Sequence, residues 1–190
     1  MRKNIANIAS GNGTNAENII RYFQAKQGET QVVLVVCNHW RPPVFDRAKR
    51  LDVSCIYMNK DAWATGTEVL RLLGEREIDF IALAGFLVRV PDVILQEYPR
   101  QIVNIHPSLL PKYGGKGMYG DRIHEAVIAA GEKESGITIH YINEHYDEGD
   151  IIAQYRCPVL PDDTPDELAK RVHALEYEYY PQVIGRLISM

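Results

Sequence analysis

Asn104 and His106 stand two residues apart at the end of an apolar run, immediately before Pro107. In an extended chain that spacing projects both side chains on one side of a sheet, a neutral amide donor beside a titratable imidazole. An amide that donates to a carbonyl oxygen, with a histidine that gives it a proton or takes one from a nucleophile, supplies the parts of acyl transfer. Pro107 ends the strand, at the carboxyl edge where ligands of parallel sheets bind. On spacing alone a hydrogen-bonded structural histidine explains the pair equally well. A third candidate, Asp147, lies in the polar turn Asn143 to Asp150 with Glu144, Glu148 and Asp150, where a solvated acid cluster is the ordinary reading. Folded against His106, its carboxylate would orient the ring and favour the imidazolium.

A second chemistry is readable in Gly11-Asn12-Gly13-Thr14-Asn15, which follows an apolar strand and opens a helix. Backbone N–H groups and the helix dipole cradle a phosphate in that context. The turn matches neither the dinucleotide nor the NTP fingerprint, so a single phosphomonoester fits best, against a bare tight turn needing positive φ. His140 lies mid-strand, sharing a face with Thr138 and Ile142. His39, His124, His145 and His173 stand in no metal-ligand spacing, so no zinc or other metal is expected. Tyr177, Tyr179 and Tyr180 beside Pro181 read as helix-face packing, and Glu176 among them as surface or ligand contact.

The elements that must hold these residues alternate. The pattern predicts strands over Asn4 to Ala9, Gln31 to Cys37, Val53 to Tyr57, Asp79 to Ala84 and Gln101 to Ile105. Helices are predicted between them over Ala16 to Gln27, Val44 to Leu51 after Pro42-Pro43, Thr67 to Leu73, and Pro91 to Glu97. This half reads as doubly wound. A glycine-rich loop, Pro107 to Gly120, precedes a helix over Asp121 to Ala130 and a hairpin of Ile137 to Ile142 with Ile151 to Leu160. Thr164, Pro165 and Glu167 open a final long helix, expected to be interrupted or kinked near Pro181. The fold class is therefore α/β, a doubly wound, mostly parallel sheet with a C-terminal β-hairpin and helix.

Composition narrows the partners. At 190 residues with a 46% hydrophobic share, one globular domain is expected. A net charge of −4 offers no basic field for nucleic acid. No apolar run approaches the ~18 residues of a membrane span, and no signal-like block follows Met1-Arg2-Lys3. Cys37, Cys55 and Cys157 suit reduced thiols, so a cytoplasmic location is expected.

The run Asn104-Ile105-His106-Pro107-Ser108-Leu109-Leu110-Pro111, with Gly11-Asn12-Gly13-Thr14-Asn15, resembles the phosphoribosylglycinamide formyltransferase family, folate-dependent enzymes of purine synthesis. Leu83-Ala84-Gly85-Phe86, Gly136 to Tyr141, Asp147-x-Gly149 and Arg171 to Glu176 follow in the family's order, so the resemblance spans essentially the whole chain. It implies a Rossmann-like formyltransferase fold filling 1–190, with a phosphate-binding half (1–105) and a half (106–190) carrying the catalytic loop, folate-side hairpin and C-terminal helix. It also implies that 10-formyltetrahydrofolate donates its formyl group to the amine of 5-phosphoribosylglycinamide, with Asn104, His106 and Asp147 catalytic. Gly11, Asn12, Gly13, Thr14, Asn15 and Glu176 would hold phosphoribosylglycinamide. Leu87, Val88, Arg89, Val90, Asn104, His140, Asn143, Glu144 and Asp147 would line the folate site. The partners implied are these two small molecules and neither nucleic acid nor membrane, for a monomer or homodimer. Two departures stand out: a longer loop over Tyr113 to Gly120, and an arginine, Arg89, one step later than in a common family pattern. Related enzymes that hydrolyse formyltetrahydrofolate or formylate methionyl-tRNA are expected to carry further domains. A non-catalytic phosphate-binding module is the rival from another class.

Overall fold

The computed structural model describes residues 2–40 and 43–190. Its elements in chain order are β1 (Lys3–Ala9), α1 (Thr14–Lys26), β2 (Thr30–Cys37), α2 (Pro43–Arg50), β3 (Ser54–Tyr57), α3 (Lys60–Thr65) and α4 (Thr67–Glu75). Then follow β4 (Phe80–Leu83), α5 (Asp92–Glu97), β5 (Ile102–His106), α6 (Asp121–Ala129), β6 (Glu134–Tyr141), β7 (Ile151–Pro158) and α7 (Pro165–Ile188). The strands form one sheet in the order β3-β2-β1-β4-β5-β6-β7. Pairing is parallel from β3 across to β5, and β6 and β7 extend the sheet antiparallel, as the expected hairpin.

Alternation along the strands divides the core between the two sheet faces. Ile5 and Ala9 join one buried cluster, with α1, α2, α6 and α7, while Ala6 and Ile8 join the other, with α3, α4 and α5. Such two-sided burial explains why the first strands read as continuous apolar runs. After β1 the chain winds outward through β2 and β3, then returns to β4 on the other side of β1. That reversal opens a crevice beyond the carboxyl ends of β1 and β4, the place where ligands settle in such sheets.

Three local outcomes differ from the sequence pattern. A short helix, α3, was not expected; Asn59 caps it by accepting from the Ala62 N–H at 2.9 Å, and Gly66 closes it with φ 74°. Six residues are too few to display a 3.6 period. Pro91 sits at the N-cap of α5 instead of inside the helix. Finally, α7 runs through Pro181 without a break. Proline removes the donor that would serve the Tyr177 carbonyl four residues back, and Asn18 Nδ2 serves it instead at 2.8 Å. The capping box of Thr164 and Glu167 forms as expected. Pro42, one of the two prolines expected to precede α2, lies outside the described residues. No helix among the described residues is long and apolar enough to cross a membrane.

Candidate active site

The turn after β1 is shaped by its neighbours. Gly13 is the N-cap of α1 in a left-handed conformation, φ 75°. A Cβ there would also come within 2.3 Å of Val44 Cγ2 on α2, so both backbone and space require glycine. Arg47 of α2 fixes the turn by donating to the Asn12 carbonyl at 2.8 Å and to Asn12 Oδ1 at 3.0 Å. It also bonds Glu17 and, as the largest cause, holds that carboxyl below its ordinary range. The first turn of α1 therefore opens on the crevice with its N–H groups free of a capping side chain.

Asn15 joins this turn to the C-terminal helix. Its Nδ2 donates to Glu176 Oε2 at 2.9 Å, and its Oδ1 is buried without a partner. Glu176, only 4% exposed, is thus a partnered acid facing a cleft rather than a surface residue. Tyr180, fully buried one turn on, donates to the carbonyls of Leu83 and Val103 and seats α7 across β4 and β5. The cleft, of about 240 Å³, is lined by Gly11 to Asn15, Ala84 to Leu87, Asn104, Tyr119, His173 and Glu176, among others.

A second, narrower cleft of about 50 Å³ opens between the segment after β4 and the β6–β7 turn. Val88, Arg89, Val90, Asn143 and Asp147 line it, with Phe86, Ile142 and Tyr146. Arg89 ties the two walls by donating to the Glu144 carbonyl at 3.0 Å. The two clefts share Phe86 and Asn104, so whatever each holds meets at Asn104.

At that junction the tautomers follow from the hydrogen bonds. His140, fully buried on β6 opposite Asn104, has Nδ1 3.0 Å from the Tyr141 carbonyl, which assigns the proton to Nδ1. Its Nε2 then accepts from Asn104 Nδ2 at 3.2 Å and sets which way the amide points. Burial, the largest cause, pushes the His140 imidazole below its ordinary range, in keeping with a neutral ring. His106, 5% exposed, has Nε2 2.9 Å from the Tyr113 carbonyl and Nδ1 3.6 Å from Asp147 Oδ2. The second distance is longer than a direct hydrogen bond. Asp147 stands at φ 57° and accepts from the Gly115 N–H at 2.9 Å, so the glycine-rich loop holds the carboxylate toward His106. This arrangement places an amide donor where the two clefts meet, a carboxylate on the wall of the narrower one and an imidazole facing that carboxylate, the inventory for moving an acyl group between two bound molecules.

The structure brings together Gly11 to Asn15, Asn104, His106, His140, Asp147 and Glu176, but of the residues expected on the folate side His140 lines neither cleft and Leu87 lines the other one. Leu87 lines the larger cleft, because Gly85 turns the chain at φ 70° and the Leu87 N–H donates to Ser10 Oγ at 3.1 Å. Glu144 turns its side chain to solvent and faces the narrower cleft's wall through its backbone carbonyl, which accepts from Arg89. Sequence reasoning missed Phe86 and His173. His173 carried a readable signal, its (i, i+3) spacing to Glu176 on a helix face.

Residues 3–184 match the formyl transferase family. The chain is 36% identical to the phosphoribosylglycinamide formyltransferase of Bacillus subtilis (strain 168), covering 99% of this chain and 96% of that protein. It is 38% identical to the chloroplastic phosphoribosylglycinamide formyltransferase of Arabidopsis thaliana, spanning 98% of this chain but 65% of that longer relative. The crystal structure of phosphoribosylglycinamide formyltransferase from Bacillus halodurans superposes with a TM-score of 0.89 at 36% identity, over 98% of this chain and 96% of that one. A match that runs from the first strand into the last helix takes in every element around the two clefts, and the chain belongs to the formyl transferase family.

Proposed function

We propose that this chain transfers the formyl group of 10-formyltetrahydrofolate to the amine of 5-phosphoribosylglycinamide, giving N-formyl-phosphoribosylglycinamide and tetrahydrofolate in de novo purine biosynthesis. The observation that carries the reading is the convergence of two clefts on Asn104, with His106 and Asp147 beside it. The larger cleft suits the acceptor. The Gly11 to Asn15 turn offers N–H groups to a phosphate, the unpartnered Asn15 Oδ1 an acceptor to a ligand hydroxyl or amine, and Glu176 a carboxylate to the glycinamide nitrogen. The narrower cleft, with Phe86, Val88, Val90 and Ile142 as apolar walls and the Asn143 to Asp147 backbone as polar fixing, suits a flat heterocycle.

In this reading the amine adds to the formyl carbon, the bond from that carbon to the folate nitrogen breaks, and a proton passes from the amine to that nitrogen. Asn104 Nδ2, oriented by neutral His140, and the Nδ1–H of protonated His106, whose Nε2 faces the Tyr113 carbonyl, donate to the developing oxyanion. Asp147 supports the imidazolium and takes part in the proton transfer. Preorganised donors of this kind lower the barrier without reorganising as charge develops. The small-molecule substrates are part of the same proposal, as are a cytoplasmic location and a single working domain. In it, the 1–105 half supplies the phosphate turn and the 106–190 half the catalytic loop, hairpin and helix.

The test separates chemistry from binding. His106→Ala should retain acceptor affinity, measured by calorimetry, within a few-fold while turnover falls about a hundredfold or more. Turnover equal to the wild type in that variant contradicts the role given to His106.

A further inference from the structure

The backbone carbonyl 2.9 Å from His106 Nε2 belongs to Tyr113, on the glycine-rich loop. A carbonyl only accepts, so the contact assigns a proton to Nε2. Nδ1, 3.6 Å from Asp147 Oδ2, is then the nitrogen that gains or loses one. Tyr113 stands at φ 57°, in the left-handed region that a bulky side chain keeps only where its surroundings hold it.

Glu132 supplies that hold. Its Oε1 accepts from the Tyr113 hydroxyl at 3.0 Å and from Lys112 Nζ at 3.0 Å, so one carboxylate oxygen grips two consecutive loop side chains. Lys112 first, and then Tyr113, keep the Glu132 carboxyl below its ordinary range, so it remains an acceptor for both. Glu132 is itself fixed, because the chain leaves α6 through Gly131 at φ 67° and the Glu132 N–H donates to the Val127 carbonyl at 3.3 Å. On the near side of Tyr113 the loop's root is pinned separately, the Leu110 N–H donating to Thr138 Oγ1 at 2.9 Å and Ser108 Oγ to the Lys112 carbonyl at 2.7 Å. On the far side lie Gly114 and Gly115, whose N–H holds Asp147. Tyr113 is the joint between a pinned root and a glycine pair, and Glu132 fixes the joint.

Resting on the formyl-transfer reading for its catalytic consequence, we propose that Glu132 is a positioning residue for His106. By holding the Tyr113 side chain it aims the Tyr113 carbonyl at Nε2, and so selects the tautomer whose Nδ1 faces Asp147. A ring released from that carbonyl is free to carry its single proton on Nδ1, which turns its basic nitrogen to the loop and away from the reaction.

The experiment reads the ring directly. In protein carrying isotope-labelled histidine, imidazole nitrogen NMR shifts at about pH 8.5, above the ordinary imidazole range, distinguish a protonated nitrogen from a bare one. The His106 signals are identified by their loss in His106→Ala. Wild type should show Nε2 protonated and Nδ1 bare. Glu132→Leu accepts from neither loop side chain and should show mixed tautomers, with kcat about tenfold lower and KM for both substrates within about twofold. Glu132→Gln keeps an acceptor oxygen without the charge and should hold the wild-type tautomer, with kcat within about twofold, which separates positioning from a distant field. Tyr113→Phe, the mildest change, should mix the tautomers in the same direction. A leucine variant with the wild-type tautomer or wild-type kcat overturns the proposal. If the leucine variant does not fold, Tyr113→Phe decides, and an unmixed tautomer there overturns it equally. The ring measurement needs no substrate, so a wild type that transfers no formyl group overturns the formyl-transfer reading while the tautomers still decide the role of Glu132.

Discussion

Asn104 is the residue on which both clefts close, and its usefulness depends on a buried neighbour. His140 lines neither cleft and is fully buried, yet its Nε2 fixes the amide so that nitrogen, not oxygen, faces the strand partner. Asn104→Asp puts an acceptor where the donor stood, with a charge facing both His140 and the developing oxyanion. We expect kcat to fall about a hundred- to a thousandfold in steady-state assays, with a smaller change in acceptor binding. A loss confined to KM would contradict the oxyanion role. At this scale the sequence was informative where spacing is local. Asn104 and His106 are placed by strand alternation, and the phosphate turn by glycines between a strand and a helix. Asp147 was not placed by composition, because an acid in a polar turn looks the same whether it meets solvent or a histidine from a distant strand. Only the Gly115 N–H and the left-handed backbone at Asp147 show what aims it.

Among elements, the β6–β7 turn carries the most precise demand. A Cβ on Gly149 would lie 1.8 Å from the Tyr141 carbonyl oxygen, a backbone atom that moves only with the hairpin. Gly149→Ala should therefore open the turn, displace Asp147 and lower both kcat and the thermal midpoint, the latter by several degrees. Thermal unfolding followed alongside steady-state kinetics checks this, and an alanine variant with wild-type values in both would contradict the packing argument. The parallel strands and the hairpin were legible because β-branched runs and alternation declare them. The continuity of α7 through Pro181 was not. It depends on Asn18, distant in sequence, bonding the carbonyl that proline leaves unserved. The fate of Leu87 was hidden for a similar reason, since Gly85 and the Ser10 hydroxyl turn that segment toward the other cleft.

For the molecule as a whole, one fastening joins the end of the sheet to the final helix. Arg171 donates to both oxygens of Asp163 and to the Pro158 carbonyl, while Asp163 also accepts from the Leu160 N–H. These bonds, Arg171 foremost, bring the Asp163 carboxyl down to about 2. A carboxyl lowered on folding contributes stability above its ordinary value, and that contribution disappears as pH falls from about 4 toward about 2. Asp163→Asn should lower the urea midpoint at neutral pH and flatten its decline across that acid window. An unchanged acid limb would show that the fastening contributes nothing to pH-dependent stability. Because α7 also carries His173 and Glu176, the same fastening supports the acceptor side of the site. The central claim, that two small molecules meet and exchange a formyl group at Asn104, His106 and Asp147, is tested most directly by one assay. Purified protein is mixed with 10-formyltetrahydrofolate, deformylation is followed by absorbance with and without 5-phosphoribosylglycinamide, and the product is identified by mass. We predict release only when the acceptor is present, with formylated glycinamide as the product. Release at the same rate without acceptor, or none from folded protein with both substrates, would contradict it.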